Sequence, residues 1–246
     1  MLKNENTMKA IYDKISSNYT ELVKIDPIKK LHYQSALKLL GNVSGLQILD
    51  VGCGSGAFDR KLAHAGAIVL GYDISAEQID NALKNEEAEG LGIKYTVADP
   101  AEFKTNQKFE KAVSVLVLHY AINAEHLEKF FSSTFKILKK DGLFVCILSN
   151  PNFKRLGIKL YNRCFKKIGK GKMKVDFLDS EQNISCSAEY SDFSIADYEK
   201  AALAGGFHRF KWVSLRPTRE SLMEMGEKYW ESFEGDCPYI GFIAYK

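Results

Sequence analysis

Residues 48–57 read Ile-Leu-Asp-Val-Gly-Cys-Gly-Ser-Gly-Ala, a short apolar run that leads directly into three alternating glycines. An apolar strand that ends in a glycine-rich turn is typical of nucleotide-binding loops, because glycine lets the backbone approach a ligand closely. The segment from Gly52 to Ala57 also satisfies the GxGxxG/A pattern of dinucleotide-binding proteins. The loop by itself therefore predicts a nucleotide-like ligand and leaves its identity open.

The segments that follow the loop predict the fold class. From about Leu46 onwards, short apolar runs alternate with longer amphipathic ones, which indicates βαβ units. We expect an α/β protein with a Rossmann-like, seven-stranded, mostly parallel sheet, an antiparallel last strand, and helices on both faces. The predicted strands are Gln47–Val51, Ile68–Tyr72, Ile93–Val97, Lys111–Leu118, Gly142–Leu148, Phe207–Leu215 and Ile240–Tyr245, and the predicted core helices are Phe58–Ala65, Ala76–Gly90 and His126–Leu138.

Two further segments flank or interrupt this core. Residues 1–45 carry apolar residues at three- and four-residue steps, which predicts N-terminal helices. Residues 151–206 form an insertion longer than ordinary connections, which predicts a lid or a substrate-binding element. We expect one domain that consists of a helical cap (1–45), a core (46–150), the lid insertion (151–206), and the last strands with an intervening helix (207–246).

Three aspartates lie at the ends of successive predicted strands and narrow the choice of ligand. Asp50 stands two residues before the first glycine, where it would repel a pyrophosphate. S-adenosylmethionine instead brings an ammonium and a sulfonium group, which a carboxylate attracts. Asp73 is about twenty residues beyond the loop, where a carboxylate takes ribose hydroxyls. Asp99 ends the third strand, where it can accept a hydrogen bond from an adenine amino group. The three carboxylates favour S-adenosylmethionine over a dinucleotide.

Four segments occur in the order and at the spacing of a known family. Residues 48–58, 71–75, 97–103 and 109–121 are similar to the successive motifs of class I S-adenosylmethionine-dependent methyltransferases. The likeness is strong over residues 45–150 and implies S-adenosylmethionine as cofactor and S-adenosylhomocysteine as product. The residues that we assign to cofactor binding are Tyr19, Asp50, Gly52, Cys53, Gly54, Gly56, Asp73, Ile74, Asp99, Pro100, Ala101 and Leu116.

The resemblance also implies a role for several of these residues. Asp50 and the backbone of the glycine loop would hold the methionine end of the cofactor, and Asp73 would bind the ribose. Ile74 would cover one face of the adenine, and Asp99 would accept from its amino group. Tyr19 stands in a segment similar to the opening of small-molecule methyltransferases, where an aromatic side chain closes over the cofactor. The flanking segments are similar to the toxoflavin-synthase and ubiquinone–menaquinone-biosynthesis types.

The catalytic requirement of methyl transfer is modest, because orientation alone can lower such a barrier by about 7–11 kcal/mol. We therefore expect in-line transfer to N, O or C of a small-molecule acceptor. His119, Tyr19 and Tyr33 are the candidates for a general base, although for His119 packing against the cofactor is the favoured interpretation. The remaining histidines, which we expect at the surface or as core residues, are His32, His64, His126 and His208.

A basic segment is compatible with more than one class of binding partner. Residues 154–174 contain nine Lys and Arg and no Asp or Glu, and interleaved apolar residues predict an amphipathic helix up to about Gly169. Its cations are compatible with a solvated lid, an RNA contact or an anionic membrane contact. The alternatives to a small-molecule enzyme are thus a methyltransferase of RNA or of a membrane quinone, and a non-catalytic cofactor-binding protein.

Composition limits which partners, membrane contacts and metal or disulfide sites are expected. A net charge of +3 is too small to imply a polyanion partner by itself, so nucleic acid is not favoured. The longest apolar run, residues 112–118, is too short to span a bilayer, so no stable membrane insertion is expected. Five scattered cysteines without CxxC spacing predict neither a disulfide framework nor a metal site, and favour a cytoplasmic protein.

Overall fold

The computed structural model describes residues 26–233 and 235–246, and it contains two sheets with helices packed around the larger one. The helices are α1 (Pro27–Leu40), α2 (Ala57–His64), α3 (Ala76–Glu89), α4 (Ala124–Ile137), α5 (Ile195–Ala204), α6 (Arg219–Met225) and α7 (Glu227–Trp230), with 3₁₀ turns at Leu118–Tyr120 and Glu231–Phe233. The strands are β1 (Gln47–Val51), β2 (Ile68–Asp73), β3 (Lys94–Val97), β4 (Phe109–Val115), β5 (Leu138–Ser149), β6 (Lys159–Leu160), β7 (Arg163–Gly169), β8 (Lys172–Leu178), β9 (Ile184–Ser191), β10 (Arg209–Ser214) and β11 (Tyr239–Tyr245).

The larger sheet has seven strands in the order β10-β11-β5-β4-β1-β2-β3. Strands β1 to β5 pair in parallel, whereas β11 is antiparallel to both β5 and β10. The predicted Rossmann-like sheet with an antiparallel last strand is confirmed. The strand order reverses at β1, whose neighbours are β2 and β4. Ligands of open α/β sheets bind at such a reversal, beyond the carboxyl ends of the strands.

Strand β5 shows why the sheet is covered on both faces. Its buried residues alternate between two apolar clusters: Val145 and Ile147 pack into one with α1 and α2, while Phe144 and Cys146 pack into the other with α4 and α5. Successive side chains of a strand point to opposite faces, so a continuous apolar run requires a layer on each side. The site beyond the strand ends therefore rests on a fully packed core.

Strand β4 ends earlier than the sequence pattern predicts. We expected the strand to run to Leu118, but it ends at Val115 and is followed by Leu116, whose φ is 61°. A left-handed residue cannot continue an extended strand, so the chain turns here and forms the 3₁₀ turn that carries His119. The apolar run is divided between the strand and the turn beyond it.

The predicted amphipathic helix in the basic segment is wrong. Residues 159–191 form a four-stranded antiparallel sheet in the order β6-β7-β8-β9, which we call the small sheet. Tyr161 and Asn162 have φ of 54° and 57°, and Gly171 has φ of 72°. Two successive left-handed residues make the tight turn that joins two antiparallel strands, so the chain reverses where a helix would continue. The small sheet packs into the same apolar cluster as α1.

The beginning of α1 is fixed by capping and by an ion pair. Asp26 accepts a hydrogen bond from the Ile28 backbone N–H at 3.0 Å, and Pro27 occupies the first turn, where its missing N–H is not needed. The Asp26 carboxylate also pairs with Arg163 of β7, which joins the helix to the small sheet. The predicted Tyr19 lies outside the described residues.

Within the described residues, no helix combines the length and the apolar character that crossing a bilayer requires.

Candidate active site

The glycine loop between β1 and α2 is held in shape by neighbouring side chains. Gly52, Gly54 and Gly56 have φ of 76°, 55° and 73°, a region that residues other than glycine rarely adopt. A Cβ atom at Gly52 would lie 2.5 Å from a Val117 methyl, and one at Gly56 would collide with the Tyr95 hydroxyl. At Gly54, among the described residues, it would meet only the Gln78 amide oxygen, at 3.6 Å. Gly52 and Gly56 are thus required by packing, whereas the described residues leave room for a side chain at Gly54.

Asp73, at the end of β2, ties the loop to the neighbouring strand. Its carboxylate accepts hydrogen bonds from the backbone N–H groups of Gly54 and Ser75, each at 2.9 Å. Burial raises the pKa of Asp73, although these two bonds act in the opposite direction. Each carboxylate oxygen has further lone-pair capacity, and Asp73 lines the cavity described below. The side chain can therefore hold the loop and still accept from a ligand.

Asp50 at the end of β1 lies beside a second buried carboxyl, Asp59 of α2. Burial raises the pKa of Asp50 well above its ordinary value, and the neighbouring Asp59 carboxyl adds to the effect. Burial likewise raises the pKa of Asp59, to about 6. Two carboxyls this close do not both ionise readily, so the pair retains a proton. A cationic group placed against Asp50 would stabilise its ionised form, which fits the ammonium group of S-adenosylmethionine.

One cavity connects the glycine loop with the small sheet. On the loop side it brings together eight of the residues that the sequence predicts for cofactor binding. These are Asp50, Gly52, Cys53, Gly54, Asp73, Ile74, Pro100 and Leu116. Gly56, Asp99 and Ala101 lie outside its lining. The structure thus gathers most of the predicted cofactor residues in one place, and we call this part of the cavity the cofactor half.

Asp99 is engaged in its own turn. Its carboxylate accepts a hydrogen bond of 2.7 Å from the Ala101 backbone N–H and lies 3.7 Å from His126 Nε2. Burial opposes ionisation of Asp99, but the hydrogen bonds from His126 and Ala101 prevail and lower its pKa. Asp99 is therefore anionic and fixes the turn that carries Pro100 into the cavity wall. Its contact with an adenine amino group stays a prediction.

The opposite part of the cavity, which we call the acceptor half, is lined by residues of the small sheet and of strand ends in the larger sheet. Its lining is mostly aromatic and aliphatic. It includes Ser149, Arg163, Phe165, Val175, Phe177, Ala188, Tyr190 and Tyr239. The Ser149 hydroxyl and the Tyr190 hydroxyl lie 2.9 Å apart and satisfy each other. The sequence did not identify these residues. The available signal was the Gly169-Lys170-Gly171 sequence, which marks the β7–β8 turn.

Two histidines line the same cavity. His119 was predicted there, and the 3₁₀ turn after β4 places it in contact with Tyr190, with ring centroids 4.8 Å apart. Burial lowers the pKa of His119 to about 3, so its imidazole is neutral. His32 of α1, which we expected to be a surface or core residue, lines the cavity with Tyr33 and packs edge-on against Tyr239 at 4.2 Å.

Several cations of the basic segment are paired with acids that lie outside the segment. Arg155 pairs with Asp236 at 3.0 Å and Lys167 with Asp192 at 2.9 Å. Lys166 and Lys174 both pair with the buried Asp176. With the Arg163–Asp26 pair, five of the nine cations have carboxylate partners. Four carboxylates therefore offset part of the basic field that the local sequence suggests.

Comparison with known proteins identifies the family of the core. Residues 48–142 match the family described as methyltransferase domain. The chain is 29% identical over 132 residues to the ubiquinone biosynthesis O-methyltransferase of Pelagibacter ubique, a match that covers 54% of this chain and 52% of that protein. It is 34% identical over 119 residues to the protein of the same name from Bartonella bacilliformis, covering 48% and 47%. The chain spans about half the length of these curated relatives.

A solved structure extends the likeness over the whole fold. The S-adenosylmethionine-dependent methyltransferase from Clostridium acetobutylicum has a TM-score of 0.66 with this chain at 18% identity, and the match covers 98% of each chain. An identity this low shows the shared fold alone. Together with the family match over the loop, β1 to β4 and α4, it confirms the predicted methyltransferase core. Residues 48–142 are thus a methyltransferase domain, in a chain that has the fold of an S-adenosylmethionine-dependent methyltransferase.

Proposed function

We propose that this protein transfers a methyl group from S-adenosylmethionine to a small-molecule acceptor bound in the acceptor half of the cavity. The observation that carries the proposal is the continuity of that cavity: the wall that contains Gly54 and Asp73 also contains Tyr190 and Tyr239 of the acceptor half. Methyl transfer requires donor and acceptor to meet in one space from which water is excluded. A shared, largely apolar cavity supplies that arrangement.

The residues of the cofactor half have distinct proposed roles. Asp50 would bind the ammonium group, since a buried carboxyl without a fixed cation gains most from a charged ligand. Asp73 would hold the ribose hydroxyls while it keeps Gly54 in place. Bound S-adenosylmethionine would supply a methyl group on a positively charged sulfur, which an acceptor lone pair displaces in line. The chain's own task is then to orient the acceptor and to keep the cavity dry.

A small, ring-containing acceptor fits the other half best. Phe165, Tyr190 and Tyr239 are buried, and their rings offer flat apolar surface to a flat ligand. The relatives named ubiquinone biosynthesis O-methyltransferases make oxygen our first choice of acceptor atom. An acceptor that enters this half would be enclosed by α1, by the small sheet and by the strand ends of the larger sheet.

An RNA acceptor is less well supported. Binding to RNA through the basic segment needs several cations free to contact phosphates. Five of the nine are instead paired with carboxylates, and only Arg163, itself paired with Asp26, lines the cavity. The segment's main contribution is thus the small sheet that forms a wall of the acceptor half.

Transfer of a labelled methyl group tests the proposal. The protein is incubated with methyl-labelled S-adenosylmethionine and a library of hydroxylated and amino-substituted ring compounds, and labelled products are identified by mass spectrometry. We expect a labelled small molecule from the wild-type protein and none from the Asp73→Ala variant. Cofactor binding without transfer to any library member, or to a cell extract, would instead favour a non-catalytic cofactor-binding protein.

A further inference from the structure

Two buried imidazole nitrogens have no hydrogen-bond partner within the described part of the chain. They are Nε2 of His32 and Nδ1 of His119. The two residues are 2% and 5% exposed, and both line the cavity. Buried polar atoms are almost always hydrogen-bonded, and an orphaned one costs roughly a lost hydrogen bond. Because both side chains line the cavity, a ligand bound there can supply the missing hydrogen-bond partner.

The two imidazoles differ in their electrostatic surroundings. Burial alone lowers the pKa of His119, whose ring lies between Tyr120 and Tyr190. Burial also lowers the pKa of His32 well below its ordinary value, and the positive charges of Arg163 and Lys29 lower it further. His32 is therefore a neutral ring near two cations, of which Arg163 is paired with Asp26. A polar ligand atom beside it would lie close to the same cations.

The residues around His32 make several contacts of their own. Arg163 is held by Asp26 and by a hydrogen bond of 2.9 Å to the Tyr161 carbonyl oxygen. Lys29 lies 5.6 Å from the centre of the Tyr33 ring, and burial lowers its pKa to about 8. Tyr239 packs edge-on against His32. A group held this firmly can discriminate between ligands because it cannot move to accommodate the wrong one.

We infer that His32 is a specificity-determining residue of the acceptor half, which accepts a hydrogen bond from a hydroxyl group of the methyl acceptor through Nε2. This inference rests on the proposed function, because it requires an acceptor in that half. An oxygen that receives a methyl group starts as a hydroxyl and becomes more negative as its proton is withdrawn. Lys29 also lines the cavity, where its ammonium group stabilises such an oxygen and disfavours a ligand that carries a positive charge. The acceptor class is thus a flat hydroxylated ring compound that is neutral or anionic.

Two aromatic probes of equal shape test this assignment. 2-Naphthol carries a hydroxyl group, and 2-methylnaphthalene has a methyl group in its place. The dissociation constant of each probe is measured by fluorescence with the protein saturated with S-adenosylhomocysteine. The proteins compared are wild type, His32→Phe, His32→Gln and the matched control His208→Phe, which makes the same change at an exposed histidine outside the cavity.

We expect the wild-type protein to prefer 2-naphthol over 2-methylnaphthalene. His32→Phe should reduce that preference about tenfold, because a hydrogen bond inside a dry site is lost. His32→Gln should retain part of it, since its amide oxygen can accept. His208→Phe should match the wild type. Should His32→Phe fail to fold, the wild-type preference and the Gln variant still decide the question.

Three results would overturn the inference: no preference in the wild type, an unchanged preference in both His32 variants, or no binding of 2-naphthol. Failure of the proposed function is a separate result. It would appear when S-adenosylhomocysteine is titrated into each protein before the probes are added. If that ligand binds all four proteins equally and the probe preference does not depend on residue 32, only the role of His32 is wrong.

Discussion

The Asp73 carboxylate accepts a hydrogen bond of 2.9 Å from the backbone N–H of Gly54, which joins the end of β2 to the centre of the glycine loop. The same carboxylate accepts a hydrogen bond from the Ser75 backbone N–H at the start of α3. Asp73 therefore stabilises the shape of the site as well as offering oxygens to a ligand, and the two roles can be separated by substitution.

Asp73→Ala should weaken binding of S-adenosylhomocysteine by roughly 1–3 kcal/mol, because ligand hydroxyls and two backbone N–H groups lose their partner. Asp73→Asn should lose less, since its amide oxygen can still accept from Gly54. Isothermal titration calorimetry measures both, with Asp80→Ala on the exposed side of α3 as the control. Unchanged affinity in Asp73→Ala would remove Asp73 from the cofactor site.

Cofactor binding should release a proton from the Asp50–Asp59 pair. The raised pKa of Asp50 keeps it protonated in the free protein, and a bound ammonium group favours its ionised form. Because the ligand binds the deprotonated form, affinity should rise with pH, by at most tenfold per unit for a single proton, and level off once the pH passes the raised pKa of Asp50. Calorimetry in buffers of different ionisation enthalpy measures the release directly. Asp50→Asn should abolish it, and equal binding heats in all buffers for the wild type would contradict this account.

Asp59→Asn should stabilise the protein at pH 8. The folded-state pKa of Asp59 is about 6, above the ordinary 3.8, so the folded chain holds this proton more tightly than the unfolded chain. Stability from this group is therefore greatest at low pH and declines as the pH rises between these two values. The variant should gain about 1–3 kcal/mol at pH 8 and little at pH 4. Urea unfolding at both pH values measures this, and a variant less stable than wild type at pH 8 would be the contrary result.

Arg163→Met should destabilise the fold strongly. Arg163 and Asp26 are both largely buried, and removal of one partner leaves a buried charge that costs about 3–5 kcal/mol. The double variant Arg163→Met/Asp26→Asn should recover much of the loss, because Asn still caps a helix. Lys170→Met, on the exposed β7–β8 turn, is the matched control. Thermal unfolding decides: equal losses in the Arg163 and Lys170 variants would show that the ion pair does not join α1 to the small sheet.

The core of the fold was predictable because its signals are local. Gln47–Val51 is a short, mostly apolar segment before a glycine turn, and the predicted strand matches β1 residue for residue. Ser75 and Gln78 marked the start of α3, and the Ser75 hydroxyl does accept from the Gln78 backbone N–H, at 3.3 Å. Where periodicity, capping and glycine agree, the sequence specifies the structure.

The small sheet was not predictable in the same way. Its first turn uses Tyr161 and Asn162 in left-handed conformations, although such turns usually carry Asn-Gly. The apolar residues around this turn are compatible with helical as well as strand periodicity, so tertiary packing decided. The charges of Lys166 and Lys174 are neutralised by Asp176, which lies just beyond the acid-free stretch. The residues 154–174 alone therefore give no indication of this pairing.

The cavity residues likewise fall into some that the sequence predicted and some that it did not. Asp50 and Asp73 were found because each lies at the end of a strand that the pattern identified. His32 was missed because one histidine on a helix carries no signal until the fold places Tyr239 and Arg163 around it. The acceptor half therefore depends on contacts between residues far apart in the chain, such as Arg163 with Asp26.

The central claim, that the cavity beside Gly54 holds S-adenosylmethionine, is tested most directly by one calorimetric titration with S-adenosylhomocysteine. Gly54→Val is compared with Gly90→Val, which introduces the same side chain at a similar φ (65° against 55°) outside the cavity. We predict one-site binding to the wild type and to Gly90→Val, and none to folded Gly54→Val. Absence of binding to the wild type, or undiminished binding to Gly54→Val, would contradict the claim.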